Sequence, residues 1–237
     1  MYLRAMISIK FTYLLLNIGS ILFPLFLSFD KKVHFYTHWW RLIPSILFGA
    51  FLFIVWDIWF VKEGVWHFNS EYLIGIWWVH LPLEEILFFI CIPYACMFIY
   101  ACLKSYFTDI FVSISKAITF IFLFFFLVMS VVYHQNLYSF VTFSGCFIIL
   151  LVHFICFRTK YLGYFYFMWL VHLIPLFIVN GFLTSLPVVI YNDTENMGIR
   201  IGTVPFEDMF YSFFLLLLIT TSYEGLKQIK KAKNLHS

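Results

Sequence analysis

Seven long apolar stretches, separated by short charged or turn-rich breaks, account for most of the 237 residues. A helix needs about 20 predominantly apolar residues to cross the hydrocarbon core of a bilayer. Hydrophobic residues make up 63% of the chain and charged residues 11%, whereas charged residues make up about 25% of a soluble domain. We therefore predict an all-α integral membrane protein of about seven transmembrane helices, near residues 11–29, 41–61, 74–103, 111–133, 138–157, 165–190 and 203–226.

The basic residues divide unequally when these helices alternate across the membrane. Arg4, Lys10, Lys62 and Arg200 fall on one side. The other side holds Lys31, Lys32, Arg41, Lys104, Lys116, Arg158, Lys160, Lys227, Lys230, Lys231 and Lys233. Because cytoplasmic loops carry an excess of Lys and Arg, we expect a multi-pass protein of the cell membrane with its N-terminus outside and its C-terminus cytoplasmic. The basic residues form no patch with interleaved aromatic residues, so nucleic acid is not an expected partner.

An internal repeat relates the two ends of the chain. At a constant offset of 123 residues, seven polar or special positions match: Asp57/Asn180, Asn69/Asn192, Gly75/Gly198, Pro82/Pro205, Glu84/Glu207, Glu85/Asp208 and Tyr100/Tyr223. Each repeat contains three helices, so a fourth helix between them is needed to restore the direction of the chain. We predict a 3+1+3 arrangement with two parallel internal repeats. The repeats span residues 1–107 and 136–237, the second ending in a basic cytoplasmic tail, and residues 108–135 supply the connecting helix.

Each repeat carries a Pro-x-acid-acid motif in its third predicted helix, PLEE at 82–85 and PFED at 205–208. An ionised carboxylate near the bilayer centre costs roughly 2.5 to 3.5 kcal/mol on insertion scales, so two matched pairs indicate a function. The candidate catalytic residues are Glu84, Glu85, Glu207 and Asp208. In the alternative interpretation, the acids lie near the outer interface, in helices that begin after the two prolines, where the positive end of the helix dipole stabilises them.

The paired acids suggest proton-transfer chemistry. Adjacent residues on a helix lie about 100° apart, so only one acid of each pair can face its counterpart across the repeat axis. Carboxyl groups that meet in a low-dielectric site cannot all ionise, and the site then holds both a protonated acid and a carboxylate. Such a site can deliver one proton and remove another without a redox change. Glu84 and Glu207 are the first choices for these roles.

Residues around the motifs are candidates for binding and structural roles. Polar residues at a similar depth can support the acids, and an aromatic face can stabilise a cation within about 6 Å. The predicted substrate-binding residues are Asp57, Asn180, Trp77, Phe88 and Tyr211. Asparagines in the outer loops are expected to cap a segment or order a turn. The predicted structural residues are Pro82, Pro205, Asn69 and Asn192.

Several cofactor sites are missing from the sequence. There is no GxGxxG motif for a flavin or nicotinamide, and none of those cofactors is expected. His34 and His38 have helical spacing, but a metal site would need further ligand clusters, so no metal is predicted. The seventh helix has no lysine before Lys227, which leaves no position for a retinal Schiff base.

The motifs resemble one protein family. The stretch WDIWFVKEGVWHFNSEYLIGIWWVHLPLEEILFFICIPYACMFIY at 56–100, together with VNGFLT, YND and VPFEDMFYSFFLLLL in the second repeat, is similar to lycopene cyclase domain proteins. In this family, two homologous subunits of a heterodimeric, flavin-independent membrane enzyme are fused in one chain. The resemblance covers nearly the whole sequence and implies that the carboxylates at 84, 85, 207 and 208 are catalytic, without a cofactor.

The resemblance also implies the reaction, which is cyclisation of the ψ ends of lycopene to β-ionone rings in carotenoid biosynthesis. The expected partners are lycopene or a related carotenoid and the lipid bilayer, and an association with other enzymes of the carotenoid pathway stays open. Two alternatives remain. A 3+1+3 parallel-repeat transporter could use the acids as a proton relay, although its pathway should contain more polar residues than this chain has. A carotenoid-binding protein without catalytic activity is the other.

Overall fold

The computed structural model describes residues 10–108, 111 and 113–233, with side chains as far as Lys230. Arg4 and the side chains of Lys231 and Lys233, which enter the charge bias, lie outside the described residues. Seven long helices form the described part of the chain: α1 (Thr12–Leu27), α2 (Trp39–Glu63), α3 (Leu83–Tyr106), α4 (Ser115–Val132), α5 (Leu137–Phe157), α6 (Leu162–Ser185) and α7 (Glu207–Lys233). Single 3-10 turns, Phe35–His38 and Ser70–Tyr72, lie in the connecting segments.

Six of these helices are long and apolar enough to cross a membrane. Helix α1 is also apolar but has 16 residues, which corresponds to about 24 Å. Large apolar side chains cover the outside of the bundle, and Phe23, Phe124 and Ile155 are each about 70% exposed. An apolar exterior of this extent is suited to lipid rather than water. The predicted all-α membrane fold is confirmed.

The two repeats interlock. Helix α1 packs against α3 and α5 packs against α7, so the first helix of each repeat lies on the third. The second helix of each repeat packs against the third helix of the other repeat, so that α2 lies on α7 and α6 lies on α3. Helix α4 packs mainly on α5 and joins the two halves. This is the 3+1+3 arrangement that the repeat predicts, and the boundaries proposed at 107/108 and 135/136 both fall between helices.

A short antiparallel ribbon marks the repeat axis. Strand β1 (Trp66–Phe68) pairs with β4 (Val189–Tyr191), and the central partners are His67 and Ile190. These two residues are themselves 123 positions apart, so the ribbon is unchanged when the repeats are exchanged. The axis therefore passes through the ribbon, and equivalent residues of the two repeats approach each other beneath it.

The acidic motifs begin their helices instead of lying inside them. Each helix is preceded by a hairpin, in which β2 (Trp77–Trp78) pairs with β3 (Leu81–Pro82) and β5 (Arg200–Ile201) pairs with β6 (Val204–Pro205). Strands β2, β3 and β6 lie in segments that were predicted as helix from 74 and from 203. Gly75 and Gly198 have φ of 90° and 70°, a left-handed conformation that glycine adopts without steric cost. Helix α3 then starts after Pro82, whose φ of −69° suits a helix start. The predicted helix starts at 74 and 203 were wrong, and the helices begin after the two prolines, as in the alternative interpretation.

Candidate active site

A cavity of about 420 Å³ lies beneath the ribbon, between α1, α3, α6 and α7. Most of its wall is apolar, but three acidic side chains line it: Asp57, Glu85 and Asp208. All three are buried, with exposed fractions of 1%, 8% and 3%. The cavity thus combines an apolar wall with acids from both repeats.

Glu85 and Asp208 reach the cavity from the first turns of α3 and α7. Each receives a hydrogen bond from a buried tyrosine on the first helix of its own repeat. The Tyr13 hydroxyl donates to Glu85 Oε2 over 2.6 Å, and the Tyr138 hydroxyl donates to Asp208 Oδ1 over 2.7 Å. The two half-sites are therefore built on the same plan.

The second oxygen of each acid breaks this symmetry. Asp208 Oδ2 accepts hydrogen bonds from Asn180 Nδ2 over 2.9 Å and from the Tyr191 hydroxyl over 3.1 Å. The equivalent positions beside Glu85 hold Asp57 and Phe68, and neither side chain offers an amide or phenol donor. Asp208 therefore accepts three hydrogen bonds from the described side chains, whereas Glu85 accepts one.

Asp57 has an unusual environment for a buried acid. Neither of its carboxyl oxygens has a hydrogen-bond partner among the described residues, and the group is close enough to Glu85 for their charges to interact. A buried polar group without a partner is costly, and a buried charge without one is more costly. The Asp57 and Glu85 pair is therefore poorly suited to carry two negative charges.

Tyr191, in the ribbon, stabilises the ionised form of Asp208. Burial raises the pKa of the Tyr191 phenol well above its ordinary value, and the nearby Asp208 carboxylate raises it further. The phenol therefore keeps its proton and donates to Asp208 at neutral pH. A carboxylate that accepts several hydrogen bonds is stabilised in its ionised form.

Glu84 and Glu207 do not line the cavity. Glu84 Oε1 accepts a hydrogen bond from the Ile74 amide, and Glu207 Oε1 accepts one from the Met197 amide, each over 2.7 Å. Ser139 also donates to Glu207. Both acids are fully buried and connect the start of a helix to the segment that precedes its hairpin. Their geometry favours an anchoring role over contact with a ligand.

The other predicted residues divide between the cavity and its supports. Asp57, Asn180, Phe88 and Tyr211 line the cavity. Trp77 lies outside it, on strand β2, with 45% of its surface exposed. Pro82 and Pro205 are the last residues of β3 and β6.

The asparagines of the repeat order the ends of the ribbon. Asn69 Oδ1 accepts a hydrogen bond from the Glu71 amide over 3.0 Å. Asn192 Oδ1 accepts one from the Thr194 amide over 3.2 Å. Each side chain therefore holds a turn that follows a strand of the ribbon.

Sequence reasoning missed three tyrosines of the site. Tyr13 and Tyr138 occupy equivalent places in α1 and α5, but they are 125 residues apart, so an ungapped comparison at 123 does not align them. The polar hydroxyl in the first turns of two apolar helices was the available signal. Tyr191 aligns with Phe68 in the first repeat, so the comparison of the repeats does not identify it as a matched polar position.

The arrangement can transfer protons, since it brings together a carboxyl group with few hydrogen bonds and one with several. Within the described residues, no group of three or more His, Cys, Asp and Glu side chains is placed to hold a metal ion.

Comparison with known proteins agrees with this architecture. A sequence model of the family described as lycopene cyclase matches residues 10–103 and 135–226. The two matched segments contain the first two helices and most of the third helix of each repeat, and leave out α4. Neither a curated protein nor a solved structure matches the chain. Because the two matched segments cover more than half of its residues, this membrane protein belongs to the lycopene cyclase family.

Proposed function

We propose that the protein is a lycopene β-cyclase that closes the ψ ends of lycopene by acid–base chemistry, as an isomerase that needs no flavin, nicotinamide or metal. The observation that carries this proposal is the unequal hydrogen bonding of Glu85 and Asp208 in one apolar cavity. Cyclisation requires a proton donor and a proton acceptor at the same end of the substrate, and these two groups supply them.

Glu85 is the proton donor in this proposal. Tyr13 occupies its Oε2, and the other oxygen has no partner among the described residues, so it can carry a proton toward the cavity. The unpartnered carboxyl group of Asp57 lies close by. Because two neighbouring buried carboxyl groups cannot both ionise, the pair keeps at least one proton at neutral pH.

Asp208 is the proton acceptor. Glu85 protonates the terminal trisubstituted double bond of a ψ end, which produces a tertiary cation. The π electrons of the internal double bond form the carbon–carbon bond that closes the ring, and the positive charge moves into the ring. Asp208 then removes a ring proton, and its electron pair restores a double bond. Transfer of that proton from Asp208 to Glu85 completes the cycle without a redox change.

The walls of the cavity protect the cation. Aromatic faces from Trp66, Phe88 and Tyr211 line the part of the cavity that also contains the acids, and an aromatic face can stabilise a nearby cation. The remaining lining is mainly apolar, which limits the water that could capture the cation as an alcohol.

The shape of the cavity favours a linear hydrocarbon over a transported ion. Its α3 lining includes Glu85, Phe88, Ile92, Ala95, Cys96 and Ile99. From Glu85 to Ile99 this helix face extends about 21 Å. A proton or ion pathway of that length would need polar groups along it, whereas most of these residues are apolar. This observation favours the cyclase over the transporter.

Expression in a host that accumulates lycopene tests the proposal. We expect extracted pigments to contain β-ionone rings when the wild-type protein is present. The double variant Glu85→Gln/Asp208→Asn should leave lycopene unchanged while it accumulates in the membrane at the wild-type level. Unchanged lycopene with wild-type protein inserted in the membrane would overturn the proposed function.

A further inference from the structure

A second cavity of about 410 Å³ is the repeat counterpart of the first. It lies between α2, α5 and α7, which are equivalent to α6, α1 and α3. Its α2 residues Leu52, Phe53 and Trp56 correspond to Pro175, Leu176 and Val179 of the first cavity, and its Leu218 corresponds to Ala95. We call the first cavity the open groove and the second the closed groove.

The closed groove does not include the acids among its lining residues. The rings of Phe53, Trp56 and Phe214 line it, and Phe53 also packs on Tyr211 of the open groove, with 5.0 Å between the ring centres. The Phe214 ring centre lies 4.9 Å from that of Phe53 and 5.4 Å from that of Trp56. A Cβ atom added at Gly145 would overlap the Phe214 ring. Phe214 is therefore packed directly on α5 at Gly145.

The open groove has smaller side chains at the equivalent places. Val179 replaces Trp56, Leu176 replaces Phe53, and Ala95 replaces Leu218. These three residues line the passage from the acids along α3 and α6. Pro175 on α6 and Phe23 on α1, which are both exposed, also line it. The open groove thus connects the acids to the lipid-facing side of the bundle between α1 and α6.

We infer that the two repeats have diverged in side-chain size so that a polyene can reach the acids only through the open groove, and that Ala95 and Val179 determine this choice. The inference rests on the proposed function and adds the path of the substrate. One ψ end lies at Glu85 and Asp208, while the remaining chain extends past Val179 and Ala95 toward the lipid. A substrate that is cyclised at both ends must leave and bind again in the opposite direction.

Exchanging side chains between equivalent positions tests this assignment. Ala95→Leu and Val179→Trp introduce into the open groove the larger residues that line the closed groove at the equivalent positions, Leu218 and Trp56. We expect each to reduce the rate of ring formation at least about tenfold, because small changes in pocket size are worth factors of about 10 to 200 in discrimination. The matched control is Leu218→Ala, which enlarges the closed groove. This control should cyclise lycopene at a rate near that of the wild type.

Two measurements separate folding from groove blockage. Each variant is extracted in detergent and must elute as a single species at the wild-type yield, and lycopene retained by the purified protein is measured by absorbance. We expect wild type and Leu218→Ala to retain lycopene and Val179→Trp to lose most of it. The inference would be overturned if Ala95→Leu and Val179→Trp fold and keep the wild-type rate of ring formation and the wild-type amount of retained lycopene. It would also be overturned if Leu218→Ala loses both ring formation and retained lycopene. If wild type retains lycopene without cyclising it, the proposed function fails, while retention still tests the groove.

Discussion

Glu84 and Glu85 are neighbours in sequence, and we predict very different consequences when each is changed to Gln. Glu85→Gln removes the proton donor at the cavity. Loss of a general acid typically costs about 10² to 10⁴ in rate, which corresponds to roughly 3 to 5 kcal/mol of transition-state stabilisation. The Tyr13 hydroxyl can still donate to the amide oxygen of the substituted side chain, so the variant should fold.

Glu84→Gln should have a much smaller effect. In the native protein, Glu84 Oε1 accepts a hydrogen bond from the Ile74 amide over 2.7 Å, and a Gln side chain retains an oxygen that can accept it. We expect less than about a tenfold loss of rate, equivalent to about 1.4 kcal/mol. Glu84→Ala leaves the Ile74 amide without this acceptor and should lower stability by roughly 1 to 3 kcal/mol.

The assay is the initial rate of ring formation from lycopene by purified protein in lipid vesicles, with pigments separated by chromatography. Rates are divided by the amount of protein that elutes as a single species in detergent. A loss of rate in folded Glu84→Gln as large as that in Glu85→Gln would refute the reasoning. Glu84 would then have to reach the substrate despite its bond to the hairpin segment.

Three further predictions follow from the asymmetry, the packing and the charges of the bundle. Asp57→Asn should place an amide donor beside Glu85, as Asn180 does for Asp208, and one hydrogen bond to a charged group is worth about 1.5 to 3 kcal/mol. Stabilising the Glu85 carboxylate in this way should slow cyclisation roughly ten- to a hundredfold, and a wild-type rate would contradict the role of Glu85. Glu224→Gln should lower the free energy of unfolding by roughly 1.5 to 3 kcal/mol, because buried Glu224 accepts hydrogen bonds from Lys104 over 2.6 Å and from Tyr100 over 3.0 Å. Denaturant unfolding in detergent measures this free energy, and an unchanged value would contradict a structural role for Glu224. A reporter fused after Ser237 should be active only as a cytoplasmic reporter, since the basic residues favour a cytoplasmic C-terminus, and activity of a periplasmic reporter there would reverse the proposed orientation.

The helices and the repeat were predictable from sequence because both depend on local patterns. Apolar length identifies the membrane helices, and Pro82/Pro205 and Gly75/Gly198 keep register without a gap. The hairpins were not predictable in the same way, since their residues, such as Trp77 and Trp78, are as apolar as the helices around them. Gly75 and Gly198 precede the two hairpins, and the left-handed conformation that they adopt there is seen only in the backbone geometry.

The choice between adjacent acids also depended on tertiary structure. A sequence indicates that Glu84 and Glu85 point in different directions, but the one that faces the cavity is decided by the position of the Ile74 amide. The same limit applies to the grooves. Trp56 and Val179 are aligned by the repeat, yet only the structure reveals that Trp56 packs against Phe214 whereas Val179 lines the cavity that contains the acids.

The central claim is that Glu85 and Asp208 cyclise lycopene by proton transfer alone. It is tested most directly by incubating the purified wild-type protein with lycopene in vesicles, without oxygen, in the presence of a metal chelator and with no added nucleotide. We predict that rings form under these conditions and that Glu85→Gln and Asp208→Asn each lose most of the activity. Ring formation that occurs only after reduced flavin is added, or that persists in both variants, would contradict the account.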